Sequence, residues 1–353
     1  MVFHIYVGSY TNEIYTLAFD PDAPSLSLAS TLTVGFHPSW LAAHPSDPSI
    51  VFAGIEQTEG EIAVVKFDEG GRGSLLGRVS SGGASPCTLV ATDTELLVCN
   101  YESGTFAAIP LSPEAPYLDA SQLASLAFSG TGPDKERQEA SHPHQVIIHP
   151  DHKELLIPDL GADKTWRLTK DSTGAWSVQG HIQYKAGSGP RHVAFHAGVL
   201  YTLLELSSEI SAHRFAPLPA APALLSTVPT MSSFPRPAAE LGMLAAEVLV
   251  PAPNAAFPAP YLYASNRNDP APAGDVVAVY SLADPAAPQL VAEVRSGLHH
   301  LRGMAFGGAH SEYLVAGGAN GHKVKVFERT DGGRGLREVA SLDLQAPTGF
   351  LWA

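Results

Sequence analysis

The chain contains very little cysteine and no long apolar run. Cys87 and Cys99 are the only cysteines in 353 residues, and we predict two buried thiols rather than a disulfide framework. No stretch of about 18 apolar residues occurs, so no membrane-spanning helix is expected. Residues 2–7 are typical of a strand and lack a basic leader, so we expect no signal peptide there and favour a cytoplasmic protein.

Basic residues are also scarce. The sequence has 21 Lys and Arg against 35 Asp and Glu, a net charge of −14, and nucleic-acid binding requires a basic footprint, so no nucleic-acid partner is expected. A local pocket can still be positive, because net charge does not describe a pocket. Charged residues make up only 16% of the chain, whereas 32 glycines and 29 prolines favour turn-rich β-structure.

A motif recurs in which a proline opens a short apolar strand, followed by a turn and a second apolar strand. The proline lies at Pro38, Pro86, Pro143 and Pro190, in steps of 48, 57 and 47 residues, and a weaker copy spans residues 301–306. A strand at 261–265 marks one further unit between them. A period of about 50 residues with several short strands per unit is typical of propeller blades.

We therefore predict an all-β fold, a seven-bladed β-propeller forming one domain over residues 1–353. Six units follow the motif, and residues 3–19 and 336–344 together form the seventh, which closes the ring and removes its open edges. Residues 112–141 interrupt the repeat and are predicted to be a surface or mouth loop. The proline-rich residues 217–260 are predicted to be a long insertion between blades, either a lid or a plain connector.

Two positions of the repeat vary in a way that packing does not explain. Directly after the motif proline stand Ser39, Cys87, His144 and Arg191, with Arg302 in the weaker copy. Near the end of the following strand stand Ile55, Tyr101, Leu160, Glu205 and Arg267, with Gly318 in the weaker copy. The start of one strand and the end of its antiparallel neighbour lie at the same edge. We therefore expect four ionisable side chains around one mouth of the central channel: His144, Arg191, Glu205 and Arg267.

This set of side chains suits an anionic substrate. Each guanidinium offers a planar fork of donors to a carboxylate, a phosphate or an oxyanion. A histidine beside them can transfer protons near neutral pH, and Glu205 can orient its neighbours or act as the base. Structural explanations remain open, because Arg191 or Arg267 can join neighbouring blades through an ion pair with Glu205, and His144 can simply open a strand. Further candidates for substrate binding are His142, His299 and Arg302.

A metal site is not favoured by the sequence. His142 and His144 are separated by a proline, and no cysteine or acidic partner lies at metal-ligand spacing. We expect neither a metal nor another cofactor, and we assign no oligomeric state.

Five segments of the sequence form a distinctive set: HPHQV at 142–146, PDLGAD at 158–163, GPRH at 189–192, LELSS at 204–208 and ASNR at 264–267. Together they resemble the seven-bladed lactonase family, which includes bacterial-type 6-phosphogluconolactonases and fungal 3-carboxy-cis,cis-muconate lactonising enzymes. The resemblance covers nearly the whole chain and implies a propeller that needs no metal. It also implies that the family's presumed active-site residues fall on His144, Arg191, Glu205 and Arg267.

Three functions follow as hypotheses. The first is hydrolysis of a lactone of a small anionic acid, as in 6-phosphogluconolactonases. The second is the reverse reaction type, closure of a carboxymuconate to a lactone, which uses the same oxyanion site. The third is a propeller that binds protein partners, although the Trp-Asp blade endings of that class are absent.

Overall fold

The computed structural model describes residues 2–232 and 242–353. They form seven antiparallel sheets of four strands each, which confirms the predicted seven-bladed β-propeller. Within these ranges the helical residues are confined to two single-turn 3₁₀ segments, Ala120–Gln122 and Asp331–Gly333. In the described part of the chain, no helix has the length and apolar character needed to cross a membrane.

The first three blades run in chain order from the channel to the rim. Blade one consists of β4 Pro38–Ala43, β5 Ile50–Ile55, β6 Glu61–Phe67 and β7 Gly73–Ser80. Blade two consists of β8 Pro86–Ala91, β9 Glu95–Asn100, β10 Thr105–Pro110 and β11 Ala124–Ala127. Blade three consists of β12 Ile147–Ile148, β13 Leu155–Asp159, β14 Lys164–Lys170 and β15 Trp176–Gln183.

The next three blades repeat this order. Blade four consists of β16 Pro190–His196, β17 Val199–Leu204, β18 Glu209–Arg214 and β19 Ala223–Pro229. Blade five consists of β20 Leu244–Leu249, β21 Tyr261–Arg267, β22 Val276–Ser281 and β23 Gln289–Arg295. Blade six consists of β24 Leu301–Gly307, β25 Tyr313–Gly318, β26 Lys323–Thr330 and β27 Gly335–Asp343.

The seventh blade joins the two ends of the chain. Its strands, from the channel outward, are β28 Pro347–Trp352, β1 Phe3–Ser9, β2 Glu13–Asp20 and β3 Ser25–Thr33. The prediction that residues 336–344 close the ring was wrong, because that segment is the outer strand of blade six. Its side chains are largely exposed, as an outer strand allows, whereas β28 starts with three buried residues, as an inner strand requires.

The prediction of an insertion at 217–260 was also wrong. That stretch supplies β19, the outer strand of blade four, and β20, the inner strand of blade five. The inner strand of blade five begins with Leu244, so it lacks the proline that marks blades one to four. Residues 233–241 of the predicted insertion lie outside the described residues.

The hydrophobic core lies between the blades. Seven apolar clusters each fill the space between two neighbouring sheets. Between blades six and seven, for example, Ile5 and Val7 pack with Val315. Cys87 and Cys99 are free and buried, as predicted, and burial raises the pKa of Cys87 to about 12. This packing holds the start of every inner strand at one end of the channel, where the candidate site lies.

Candidate active site

The inner strands of blades one, two, four and six each begin with a β-bulge. The pairing register shifts there, and one residue per strand is left outside the ladder: Ser39, Cys87, Arg191 and Arg302. A bulge bends the strand and redirects a side chain, and bulges are frequent beside active sites. All four of these side chains are buried. In these four blades the variable position found by comparing repeats is therefore the bulge position of the inner strand, whereas His144 lies before β12 of blade three.

Glu205 contacts three arginines at this mouth. Its backbone N–H donates to the carbonyl of Gly189 at 2.7 Å, which fixes it beside the start of the inner strand of blade four. Its Oε2 lies 2.8 Å from Nε of Arg191 and 2.8 Å from Nη2 of Arg267. Its Oε1 accepts from Nη2 of Arg137 at 2.6 Å. Because Glu205 is only 1% exposed, solvent screens these charges weakly.

The arginines keep this carboxylate ionised. Burial acts to raise the pKa of Glu205, but Arg267, Arg191 and Arg137 outweigh it and hold the pKa at about 2. Burial, followed by the charges of Arg267 and Arg302, lowers the pKa of Arg191 to about 10, so its guanidinium still carries a proton at neutral pH. Glu205 has both oxygens paired and a low pKa, so it is a weak base. Its role is to fix the positions of the arginines.

Two guanidinium nitrogens at the mouth have no protein partner. Among the described residues, Nη2 of Arg191 and Nε of Arg267 are buried without a hydrogen bond or an ion pair. Nε of Arg191 also makes no hydrogen bond, although Oε2 of Glu205 lies 2.8 Å from it. Other nitrogens of the same groups are anchored, since Nη1 of Arg191 donates to the carbonyl of Ala246 and Nη2 of Arg267 donates to that of Ala245 at 3.0 Å. A buried donor without an acceptor costs about 1–3 kcal/mol. An anionic oxygen of a ligand would satisfy both donors.

His144 lies beside these arginines with one unpaired ring nitrogen. Its backbone N–H donates to the carbonyl of Pro158 at 2.9 Å, and its ring packs edge-on against Tyr101 and His192, with centroids 5.6 and 5.2 Å away. In the described part of the chain, its buried Nδ1 has no hydrogen-bond partner. Burial, followed by the charge of Arg191, lowers the pKa of His144 well below its ordinary value. The imidazole is therefore neutral near pH 7 and can accept a proton.

His142 uses both ring nitrogens within the protein. Its Nδ1 lies 3.0 Å from the carbonyl oxygen of Tyr101, and its Nε2 lies 3.0 Å from Oε1 of Glu139. Its ring stacks on that of Tyr101 at 4.4 Å between centroids. Because no ring nitrogen is left for a ligand, the geometry favours a role for His142 in positioning Tyr101 over the predicted substrate contact.

Arg137 belongs to the cluster but was not predicted from the repeats. It lies in residues 112–141, for which the prediction of a surface or mouth loop was partly wrong, because the stretch also supplies β11, the outer strand of blade two. The chain then comes back to the mouth before blade three. Oδ1 of Asp134 accepts from the backbone N–H of Arg137 at 3.1 Å, and the buried Gln138 donates from Nε2 to the carbonyl of Leu160 at 2.8 Å. These bonds hold the Arg137 guanidinium against Glu205. A residue outside the repeat has no equivalent in other blades, so the comparison gave no signal for it.

A carboxylate–imidazole pair lies against Arg191. Nδ1 of His192 lies 2.6 Å from Oε1 of Glu247, and Nε2 of His192 lies 3.4 Å from Nη1 of Arg191. A neutral histidine that donates from Nδ1 presents an acceptor at Nε2, which suits the arginine. All three residues are buried. Glu247 was missed because it lies in the stretch interpreted as an insertion. His192 was missed because it is the second residue after the motif proline, and the comparison of repeats considered only the first.

His299 and His300, which precede blade six, differ in their burial. His299, predicted to bind substrate, is exposed, and the structure does not bring it into the cluster. His300 is half-buried, and its Nδ1 lies 3.0 Å from Oδ1 of Asn268. Burial, followed by the charges of Arg267 and Arg302, lowers the pKa of His300 to about 4. His300 is therefore the histidine of this pair that lies within reach of the arginine charges.

Arg302, the last predicted binding residue, is buried at the same mouth. Its Nε donates to the hydroxyl of Tyr10, and its Nη2 lies 3.8 Å from Oε1 of Glu56. It thus extends the positive cluster toward the closing blade and blade one.

Asn100, Asp159 and Asn266 are the residues to consider as ligands if the mouth held a metal. Oδ1 of Asn266 accepts from a threonine hydroxyl at 2.6 Å, whereas Asn100 donates from Nδ2 to a backbone carbonyl at 3.1 Å and its buried Oδ1 has no hydrogen-bond partner among the described residues. Asp159 accepts from Nε1 of Trp166 at 2.8 Å and from the backbone N–H of His142 at 2.7 Å. Within residues 2–232 and 242–353, no three His, Cys, Asp or Glu side chains are grouped to hold a metal ion.

The fold and the site together define a class, the seven-bladed propellers that bury an arginine–glutamate–histidine cluster at one mouth of the channel. Residues 4–352 match the family model described as "Lactonase, 7-bladed beta-propeller". The chain belongs to this family, which confirms the resemblance found in the sequence motifs.

Some similar proteins of known sequence carry lactonase names. The chain is 27% identical over 361 residues to a protein of Arthroderma benhamiae named "Probable 6-phosphogluconolactonase", and the match covers 98% of this chain and 88% of that protein. It is 30% identical over 223 residues to the 6-phosphogluconolactonase of Bacillus subtilis. That second match covers 60% of this chain and 62% of the relative, which is less than two thirds of either.

Solved structures agree with the fold. A protein from Lactobacillus plantarum superposes with a TM-score of 0.86 at 22% identity, covering 100% of both chains. The periplasmic gluconolactonase of Pseudomonas aeruginosa superposes with a TM-score of 0.82 at 21% identity, covering 100% of this chain and 99% of that one. At these identities the likeness shows a shared fold, and the cytoplasmic location of this chain stays a prediction.

Proposed function

We propose that the protein hydrolyses a lactone of a small anionic acid, in the manner of the 6-phosphogluconolactonases it resembles. The observation that carries the proposal is the arrangement of unpaired polar atoms at one mouth. Nη2 of Arg191 and Nε of Arg267 are donors without acceptors, and Nδ1 of the neighbouring His144 has no partner among the described residues. Donors for an oxyanion and a base for water are the two requirements of lactone hydrolysis.

In this mechanism His144 is the base. It removes a proton from water as the water oxygen attacks the lactone carbonyl, and Arg191 and Arg267 stabilise the oxyanion that forms. The ring C–O bond then breaks, and the imidazolium returns its proton to the departing alkoxide. The product is the open hydroxy acid. Glu205 serves as the holder of the arginines, because a carboxylate with a pKa of about 2 and two occupied oxygens is a poor proton acceptor.

Substrate charge assists the base. In the free protein, burial and Arg191 depress the pKa of His144, which weakens it as a proton acceptor. An acid group bound on the arginines cancels part of their charge, and the pKa of His144 then rises toward the range in which a histidine transfers protons. Anionic lactones should therefore react faster than neutral ones of the same ring.

Two other functions were considered from the sequence. A carboxymuconate cycloisomerase would use the same arginines, and a binding scaffold would use none of them. Neither is favoured by the relatives described above, whose names refer to lactone hydrolysis.

The test is acid release in a pH-stat, measured above the spontaneous rate. The substrates are 6-phosphogluconolactone and uncharged gluconolactone, and ultraviolet loss of a carboxymuconate is followed in parallel. We expect acid release to be faster with the phosphorylated lactone, lost in Arg191→Ala and retained in Ser39→Ala, which changes the equivalent bulge residue of blade one. Loss of carboxymuconate without acid release would replace the proposal with the cycloisomerase, and no turnover in either assay would overturn it.

A further inference from the structure

Beside the arginine cluster, the mouth opens into a second pocket with a different lining. This cavity of about 820 Å³ lies between the closing blade and blades one and two, within the size range of small-molecule sites. Aromatic, acidic and amide side chains line it, chief among them Tyr10, Phe36, His37, Glu56, Gln57 and Glu59. Because its lining differs from the arginine cluster, it suits a chemically different part of a ligand.

Arg302 forms the boundary between the two regions. On the pocket side, its Nε donates to the hydroxyl of Tyr10, and its Nη2 lies 3.8 Å from Oε1 of Glu56. On the other side, its charge contributes to the lowered pKa values of His144 and His300. A molecule bound at the arginines therefore has the pocket as its immediate neighbour.

Glu56 carries a buried acceptor that nothing in the described ranges satisfies. Its Oε2 is buried and has no hydrogen-bond partner among the described residues. Its other oxygen lies 3.8 Å from Arg302, which is beyond hydrogen-bonding distance. Burying a carboxylate oxygen without a donor is unfavourable. A donor supplied by a ligand would remove this cost.

The surroundings favour neutral hydroxyl groups as that donor. Glu56, Glu59 and Glu102 line one pocket, so an anion is repelled. A metal ion is disfavoured because, in the part of the chain that the structure describes, no three acidic, His or Cys side chains are grouped as ligands. Phe36 is 53% exposed and stacks on His37 at 3.6 Å, so an aromatic surface faces the pocket and suits the apolar face of a hydroxylated ring.

We propose that Glu56 and Phe36 form a polyol subsite, which binds the hydroxyl-bearing part of a substrate whose reacting end lies at Arg191 and Arg267. The inference rests on the proposed function and assigns the residues that make the site selective. Glu56 accepts hydrogen bonds from hydroxyl groups of the substrate, and the Phe36 ring packs against the apolar C–H face of the same hydroxylated part. A lactone without hydroxyl groups leaves Glu56 unsatisfied and binds more weakly.

The first test compares two lactones in Glu56→Ala. One is 6-phosphogluconolactone, and the other is muconolactone, a carboxylated lactone without ring hydroxyls. We expect KM for the hydroxylated lactone to rise about tenfold, the loss of one charge-assisted hydrogen bond, with kcat within about threefold. KM for muconolactone should not change. Equal losses for both lactones, or no change for either, would overturn the subsite.

The second test does not depend on turnover. Calorimetry compares gluconate with hexanoate, a monocarboxylate of the same chain length and charge without hydroxyl groups. The unaltered protein should bind gluconate more tightly, and Glu56→Ala should abolish that preference. A preference in a protein that hydrolyses no lactone would retain the subsite while the proposed reaction fails. Equal affinity for both acids, or no binding of either, would contradict the subsite.

Phe36→Ala provides a variant that should not disturb folding, because the ring is largely exposed. It should weaken gluconate binding about threefold, by the loss of an aromatic contact worth about 0.5–1.5 kcal/mol. Leu28→Ala is the matched control, since Leu28 is 50% exposed on the outer strand of the closing blade and does not line the pocket. If the Phe36 and Leu28 variants bind gluconate equally well, the aromatic part of the proposal is wrong.

Discussion

Nε of Arg191 lies 2.8 Å from Oε2 of Glu205, and both side chains are about 1% exposed. The carboxylate thus holds Nε, and a backbone carbonyl accepts from Nη1, while Nη2 has no hydrogen-bond partner among the described residues. A buried arginine whose hydrogen bonds were all made within the protein would serve only to join blades. The unpaired nitrogen is what distinguishes a binding group from a structural ion pair, and the predictions below follow from that difference.

The first prediction concerns the two arginines that hold unpaired donors. Arg191→Ala and Arg267→Ala should each lower kcat/KM. The loss of transition-state stabilisation should be about 2–4 kcal/mol, the range observed when an oxyanion donor is removed. Lysine at either position should restore only part of the activity, because a point charge does not reproduce the planar fork. Steady-state kinetics on the best lactone measure the effect.

Ser39→Ala is the control for these variants. Ser39 occupies the same bulge position in blade one and carries no charge, so its loss should change kcat/KM little. The activity of a variant is interpreted only if its melting temperature equals that of the unaltered protein. A folded Arg191→Ala protein with normal turnover would mean that the catalytic residues lie elsewhere in the propeller.

The second prediction concerns His144. His144→Ala should lower kcat by about 10²–10⁴-fold if His144 is the proton-transfer group. Because the base acts in its neutral form and its pKa is held well below 6.5, kcat/KM of the unaltered protein should stay level as the pH falls through 6.5 and decline only at lower pH. An acid limb centred at or above pH 6.5 would assign the titration to a different group.

The third prediction concerns Glu205 and stability. Its pKa is about 2 in the folded protein and near 4.5 without these contacts, so its stabilising contribution is complete above pH 4.5 and is lost as the pH falls toward 2. That difference corresponds to on the order of 3 kcal/mol. Glu205→Gln should therefore lower the free energy of unfolding at pH 7 and flatten its pH dependence between 4.5 and 2. Urea unfolding across that pH range measures both effects.

The sequence alone predicted the ring because every blade is built from the same hairpin. The proline before Ser39, Cys87 and Arg191 marks an inner strand, and spacing alone then counts the blades. Divergence at the following residue predicted that side chains would meet at one mouth. The bulge itself was not predictable, since register within a strand depends on its partner and not on local sequence.

What the sequence missed lies where the repeat is interrupted. Arg137 reaches Glu205 from a loop whose course is set by Asp134 and Gln138, and no other blade has an equivalent loop. Glu247 lies in an inner strand that starts without a proline. Only a three-dimensional arrangement brings such residues to the cluster, because the contacts that place them connect distant parts of the chain.

The fourth prediction concerns metal ions. Lactonase activity should survive exhaustive chelation, because the proposed mechanism uses arginines in place of a metal to stabilise the oxyanion. Activity is measured before and after treatment with a chelator, with and without added calcium or zinc. If activity is lost and calcium or zinc restores it, Asn100, Asp159 and Asn266 become the ligands to replace.

The fifth prediction concerns the His192–Glu247 pair, which touches Arg191 but lies outside the set of unpaired donors. Oε1 of Glu247 accepts from His192 and also from the backbone N–H of Val248 at 3.1 Å, so a glutamine would keep its oxygen there, and the variant to use is Glu247→Leu. Without an acceptor at Nδ1, the ring proton of His192 is free to move to Nε2, which turns that nitrogen toward Nη1 of Arg191 as a second donor. The Arg191 guanidinium then loses an acceptor worth about 1 kcal/mol, and kcat/KM should fall about fivefold. If the pair were purely structural, the substitution would lower the melting temperature and leave kcat unchanged in the folded fraction. Nuclear magnetic resonance of the His192 ring nitrogens distinguishes the cases, because only the positioning role requires the tautomer to change together with kcat.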